Sequence, residues 1–197
     1  MAMTKPSRDT TSVSLLERVR GQDQLAWQRF AALYGPLVAR WCRLGGVKPG
    51  EEGDVVQEVF LAVFAGLDDF ERRRPGSFRS WVRGITRFKL ADRRRRRRRQ
   101  APAAGGTAAQ ELIQAIPDPQ AGAADDTAEV SGLYHRALEL IRPEFEERTW
   151  RAFWRSAVEG HPTDLIAADL GVSAVTVRVA KSRVLGRLRA EVGGLID

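Results

Sequence analysis

A chain of 197 residues with 43% hydrophobic content can fill one larger or two smaller domains and form a real core, which excludes wholesale disorder. Its 32 Lys and Arg against 25 Asp and Glu leave a net charge of +7, and the pI is near 10.4; this favours a polyanionic partner, nucleic acid ahead of a membrane surface. A single cysteine, Cys42, excludes an internal disulfide and a cysteine-rich zinc site, and the absence of any long apolar run predicts a soluble, cytoplasmic protein with no membrane insertion.

Ser14 to Glu17 reads SLLE, a capping box, so a short helix starts there and stops near Gly21. Asp23 is placed to cap the next helix, where Trp27, Phe30, Tyr34, Leu37 and Trp41 recur at spacings of three and four until Gly45-Gly46. Such a stripe is packing, and Cys42 beside it is a buried structural thiol. A third helix runs from about Gly50 to Gly66, with Val56, Val59, Phe60, Val63 and Leu67 on its buried face. Asp54, Gln57 and Glu58 project from its polar side; by themselves they read as a solvated face suited to the positive helix N-terminus.

Pro75-Gly76 marks a turn, and a fourth helix begins near Ser77 with Phe78, Trp81, Val82 and Ile85 facing inward. Arg79, Trp81, Arg83, Arg87, Phe88 and Lys89 interleave cations with rings. Guanidinium groups hold phosphates and rings stack on unpaired bases, the combination that single-strand binding needs. Arg93 to Arg99 is an uninterrupted arginine run whose mutual repulsion is expected to fray the helix end into an adhesive arm. From Gln100 the composition turns to Ala, Gly, Pro and Asp, with only Leu112, Ile113 and Ile116 as an apolar patch. That is a flexible linker, whose acids are candidates to lie against the arginine arm.

A second helical domain starts near Val130. Leu133, Ala137, Leu138 and Ile141 mark one helix, and Phe145, Trp150, Phe153, Trp154, Ala157 and Val158 the next. TDLIAADLGVSAVTVRVAKSRVLGRLR, from Thr163 to Arg189, then reads as a helix-turn-helix. Thr163 is the expected first cap, Gly171 the left-handed helix stop, Val172 a plug between the helices and Ser173 the second cap. On the last helix Val177, Ala180, Val184 and Leu188 point inward, and Lys181 lies close enough to that stripe to snorkel. Val175, Arg178, Val179, Ser182 and Arg183 fall opposite, where arginines reach guanine edges or phosphates and valines touch thymine methyls. An ordinary helical hairpin is the plainer alternative. No nucleophile–base pair, metal spacing or glycine-rich phosphate loop emerges, so neither enzyme activity nor a cofactor is expected.

Three stretches carry a family likeness: DVVQEVFLAVFAGLDDF at Asp54 to Phe70, SFRSWVRGITRFKLADRRRR from Ser77, and LGVSAVTVRVAKSRVLGRLR from Leu170. In this order they resemble the bacterial RNA polymerase sigma factors of the extracytoplasmic-function (ECF) class, within the sigma-70 family. The resemblance implies an all-α fold of two small helical domains joined by a flexible linker, the C-terminal one a four-helix domain with the helix-turn-helix. Its expected parts are a disordered N-terminus (1–12), a region 2 domain (13–99), the linker (100–129) and a region 4 domain (130–197). It further implies that Asp54, Gln57 and Glu58 contact core RNA polymerase. Arg79, Trp81, Arg83, Arg87, Phe88 and Lys89 would hold the melted non-template strand of the minus-ten element. Val175, Thr176, Arg178, Val179, Lys181, Ser182 and Arg183 would meet duplex DNA at the minus-35 element. Promoter DNA and core polymerase are the expected partners, with an anti-sigma protein as a further candidate. Two positions depart from the family's habit: Phe88 stands where Asn is frequent, and Lys181 where an apolar residue is. A stand-alone helix-turn-helix regulator is the competing reading, though it leaves the first domain without a task.

Overall fold

The computed structural model describes residues 14–71, 77–100 and 123–196, and among these there are eight α-helices, one 3-10 turn and no strand. The helices are α1 (Leu15–Arg20), α2 (Gln24–Leu44), α3 (Glu52–Gly66), α4 (Ser77–Gln100), α5 (Ala123–Ile141), α6 (Glu147–Ala157), α7 (Thr163–Leu170) and α8 (Ala174–Val192), with the 3-10 turn at Arg142–Glu144. The N-terminal dozen residues, the Pro75-Gly76 turn and the Leu112, Ile113 and Ile116 patch lie outside the described residues. So does most of the expected linker, but its last part does not: α5 begins at Ala123, ahead of Val130. No described helix is long and apolar enough to cross a membrane. Packing divides the described residues into two compact units, one lying within 30–135 and including Ile196, the other lying within 14–29 and 136–195.

In the unit of residues 30–135 the aromatic stripe of α2 forms the centre. Phe30 and Tyr34 are fully buried and stack at 5.1 Å, and Phe78 of α4 meets both edge-on at 5.9 and 5.6 Å. Edge-to-face rings place the positive rim of one against the negative face of the next, which adds to their large apolar burial. From α3 the buried residues are Val55, Val59 and Val63, with Leu67 just beyond. The expected stripe began instead at Val56, which is half-buried, as is Phe60. Val55 precedes Val59 by four residues and stacks directly above it, while the three-residue step to Val56 turns that side chain to the flank. Cys42 is buried as expected, and loss of solvation, helped by the charge of Glu52, pushes its thiol up to about 11. Such a thiol does not ionise near neutrality.

The second unit is built from caps and a small apolar core. The Ser14–Glu17 capping box forms, and Asp23 caps α2 by accepting from the N–H groups of Leu25 and Ala26 at 2.9 and 3.1 Å. Thr163 does not act as a cap. Pro162 occupies that position and Thr163 is the first helical residue, because proline's fixed φ sets the entry angle while leaving no hydroxyl to accept. Gly171 ends α7 in the left-handed region at φ 59°, ψ 44°, and Ser173 then caps α8 by accepting from Thr176 N–H at 3.0 Å. Ala152, Ile166, Ala167, Val177 and Ala180 close the core beneath, with Val172 plugging the turn. A Ser173→Ala variant should lower stability by about 1 kcal/mol, the usual worth of a helix cap, measurable as a shift in the urea midpoint.

Glu191 is buried at 1% exposure, yet it accepts from Arg29 Nε at 2.6 Å and from Arg187 Nη1 at 2.7 Å. Glu144 joins the same two arginines at 2.9 and 2.6 Å. Two carboxylates against two guanidiniums leave no unpaired charge, the condition under which burial of ions is tolerated. Arg187 is thereby committed to the interior of its unit.

Candidate nucleic-acid interface

On α8 the capped start sets the phase of everything that follows. With Val177, Ala180, Val184 and Leu188 buried, the opposite side presents Val175, Thr176, Arg178, Val179, Ser182 and Arg183, all exposed. Val175 and Val179 are 61% and 50% exposed, one helical turn apart, an apolar pair with no intramolecular reason to face water. Thr176 is half-committed, since its hydroxyl lies 2.8 Å from that of Ser173 within the cap. Lys181 stands apart from the others. Its Nζ donates to the carbonyl oxygen of Ser156 at 3.4 Å, so the lysine snorkels as expected and ties α8 to the end of α6.

The turn before α8 is braced by a residue that periodicity does not single out. Arg148 of α6 donates to the carbonyl oxygens of Leu170 and Gly171 at 2.5 and 2.7 Å. These carbonyls end α7 without helical partners, so a guanidinium there satisfies them and holds the turn in one shape. Arg155 similarly pairs with Asp169 at 2.7 Å. Contacts from α6 thus brace α7 and the turn that leads into α8.

The α4 group divides. Arg79 is only 7% exposed, and its guanidinium is engaged by Asp126 and Glu129 of α5. Arg83 lies over the Trp41 ring at 5.7 Å, a cation–π contact. Trp81 is half-buried, its ring 4.9 Å from Phe70 and close over Gly66, where an added Cβ would sit 3.1 Å from it. Trp81, Phe88 and Lys89 line a shallow depression of about 470 Å³ together with Ala62, Gly84 and Ile85. Phe88 is 68% exposed and Arg87 is exposed beside it. Of this group Arg87 and Phe88 are exposed, and Lys89 and Arg83 are half-buried, with Trp81 among the residues lining the depression.

The arginine run does not fray. It stays helical to Gln100, and acceptors stand close to its arginines from Arg93 to Arg97. Glu51 accepts from Arg93 at 2.9 Å and also pairs with Arg97; Asp92 pairs with Arg95 and Arg96 at 2.6 and 2.8 Å; Arg94 donates to the Gly45 carbonyl at 2.6 Å. The hydrogen bond from Arg93 holds the Glu51 carboxyl below its ordinary range, and that from Arg95 does the same for Asp92. On α3, Asp54 and Gln57 are exposed and Glu58 is half-buried, all along one side. Leu61 and Phe64, 63% and 48% exposed, extend that side towards the helix end. Sequence reading named neither residue, although both continue the side of Asp54, Gln57 and Glu58 at helical spacing. Among the described residues no group of His, Cys, Asp or Glu could hold a metal ion.

Comparison with known proteins adds three kinds of finding. Residues 30–100 match the family model described as Sigma-70 region 2. The chain is 29% identical over 185 residues to RNA polymerase sigma factor NccH of Alcaligenes xylosoxydans xylosoxydans, covering 92% of this chain and 94% of that one. It is 30% identical over 177 residues to RNA polymerase sigma factor CnrH of Cupriavidus metallidurans, covering 89% and 88%. It is also 30% identical over 182 residues to ECF RNA polymerase sigma factor SigD of Mycobacterium tuberculosis, covering 89% and 81%. Among solved structures it is similar to that described as "Structure of CnrH in complex with the cytosolic domain of CnrY", at 23% identity and a TM-score of 0.35, covering 89% of this chain and 93% of the other.

Proposed function

This chain belongs to the extracytoplasmic-function class of RNA polymerase sigma factors, and on that footing we propose that it binds core RNA polymerase and directs promoter-specific initiation in the cytoplasm. The protein supplies no bond-making chemistry in this reading. It uses binding energy to choose a promoter and to hold bases that have left the duplex.

The assignment of tasks follows the surfaces. Residues 13–99 would form the region 2 domain and residues 130–197 the region 4 domain. The exposed side of α8, with Val175, Arg178, Val179, Ser182 and Arg183, enters the major groove of the minus-35 element. There arginine reaches guanine or phosphate and valine meets thymine methyls. Arg87, Phe88, Lys89 and Trp81 receive the melted minus-ten strand, where an exposed ring stacks on a base without needing the hydrogen bonds of an amide. Asp54, Gln57 and Glu58, extended by Leu61 and Phe64, form the face offered to core polymerase. An anti-sigma protein is a further partner in this reading.

The single observation that carries it is α8: a capped helix on a braced turn, exposing two valines and two arginines on one side. Run-off transcription with purified core polymerase tests the reading, with initiation expected at discrete start sites. An Asp54→Lys, Glu58→Lys variant should bind core polymerase at least about tenfold more weakly, because reversed charges meet a partner surface selected for acids. Absence of both core binding and promoter-dependent initiation by the unaltered chain would sink the proposal. Tight binding to palindromic duplex in that circumstance would favour a stand-alone regulator.

A further inference from the structure

Asp126 and Glu129 sit one turn apart near the start of α5 and converge on side chains from α2 and α4 within one compact unit. Glu129 has no exposed side-chain surface. It accepts from the Trp41 indole N–H at 2.6 Å and from Arg79 Nη1 at 3.1 Å, with Arg40 Nη1 at 3.7 Å and Arg83 Nη1 at 4.0 Å. Asp126 takes Arg79 Nη2 at 2.6 Å and a second bond from Nη1, a two-pronged grip. That grip holds the Asp126 carboxyl below its ordinary range and raises Arg79.

Three arginines and an indole around two carboxylates form more than a structural staple. Arg79 Nε is buried with no hydrogen-bond partner among the described residues, so the pairing leaves a donor unmet. A two-pronged carboxylate is also the geometry in which arginine takes phosphate. Two of these arginines, Arg79 and Arg83, belong to the α4 group that its composition marks for a nucleic-acid backbone.

We propose that Asp126 and Glu129 act as an intramolecular phosphate mimic, occupying the arginines of the α4 face and holding them from single-stranded DNA until the strand displaces them. This rests on the assignment of that face to melted DNA. Buried ion pairs stand close to balance against the desolvation of their charges, so such a lock opens when a denser polyanion offers replacement contacts. A fraction of molecules already open would bind DNA at full strength, and the apparent affinity falls by that fraction.

Fluorescence anisotropy of the full chain with fluorescein-labelled oligo(dT), without polymerase, tests it. The Asp126→Asn, Glu129→Gln variant should bind roughly tenfold more tightly than the unaltered chain, the reciprocal of the open fraction, and Asp126→Asn alone should shift in the same direction. Unchanged or weaker binding by Asp126→Asn with an unaltered circular dichroism spectrum would overturn the lock. Asp126 is 46% exposed, so its substitution stays separable from misfolding of the buried Glu129 change. Hydrogen exchange on the unaltered chain supplies the second readout. Saturating oligo(dT) should strip protection from residues 126–133, and full protection in the bound state would equally overturn the proposal. Transcription assays with core polymerase run in parallel: failure there with a tightened variant sinks the sigma-factor tasks and spares the lock, and the converse result spares the tasks and sinks the lock.

Discussion

Replacing Arg178 and Arg183 together with alanine is expected to weaken binding to the duplex minus-35 element by about thirtyfold to ten-thousandfold. An arginine that reaches a base edge is worth roughly 1–3 kcal/mol, and two act nearly additively when they share no partner. Both side chains are exposed on α8 and neither takes part in the core beneath, so the fold should not change. The measurement is anisotropy with promoter duplex over a salt series. Any share of the two contacts that goes to phosphate will appear as a shallower salt slope, by up to about one for each arginine. Promoter binding and start-site choice that survive the double substitution would remove α8 from the reading role.

Phe78→Ala should be the most destabilising single change. Phe78 is 1% exposed, and its ring lies 5.2 Å from Phe70, 5.6 Å from Tyr34, 5.6 Å from Trp81 and 5.9 Å from Phe30. Truncating a buried phenylalanine to alanine typically loses about 3–5 kcal/mol, a large part of the roughly 5–15 kcal/mol that holds a domain folded. At a urea slope of about 2 kcal/mol per molar, the midpoint should fall by about 2 M. Trp81, which packs on Phe70 and Phe78, would lose its backing, so oligo(dT) binding should fall as well. A stability loss under about 1 kcal/mol would mean that the surrounding rings close the cavity.

Much of the local architecture was readable residue by residue. The capping box at Ser14–Glu17, the Asp23 cap, the left-handed Gly171 and the Ser173 cap all stand where their side chains put them. So does the inward row of Val177, Ala180, Val184 and Leu188, and with it the outward face that carries the candidate DNA contacts. The misses are of two kinds, two local and one long-range. Thr163 was outranked by the proline before it, and Val56 yielded to Val55 by a single step of helical phase. Arg93 to Arg99 stayed helical because Glu51, far back in the chain, supplied a counter-charge.

Caps and periodicity act within about one turn of helix, so the all-α class, most helix ends and the inward row of α8 could be read locally, while the start of α5, the end of α4 and the exact phase of α3 could not. The partner of a charge is decided at longer range. Arg79 meets Asp126 across 47 residues, and Arg29 meets Glu191 across 162. Arg79 shares the helical phase of buried Val82, Thr86 and Leu90 while Arg87 faces water, but only the fold supplies the two carboxylates that meet Arg79. Which arginines remain available to a polyanion depends on which acidic side chains the fold brings within a few ångströms and how far it removes them from solvent, and neither is encoded within a few residues of the arginine.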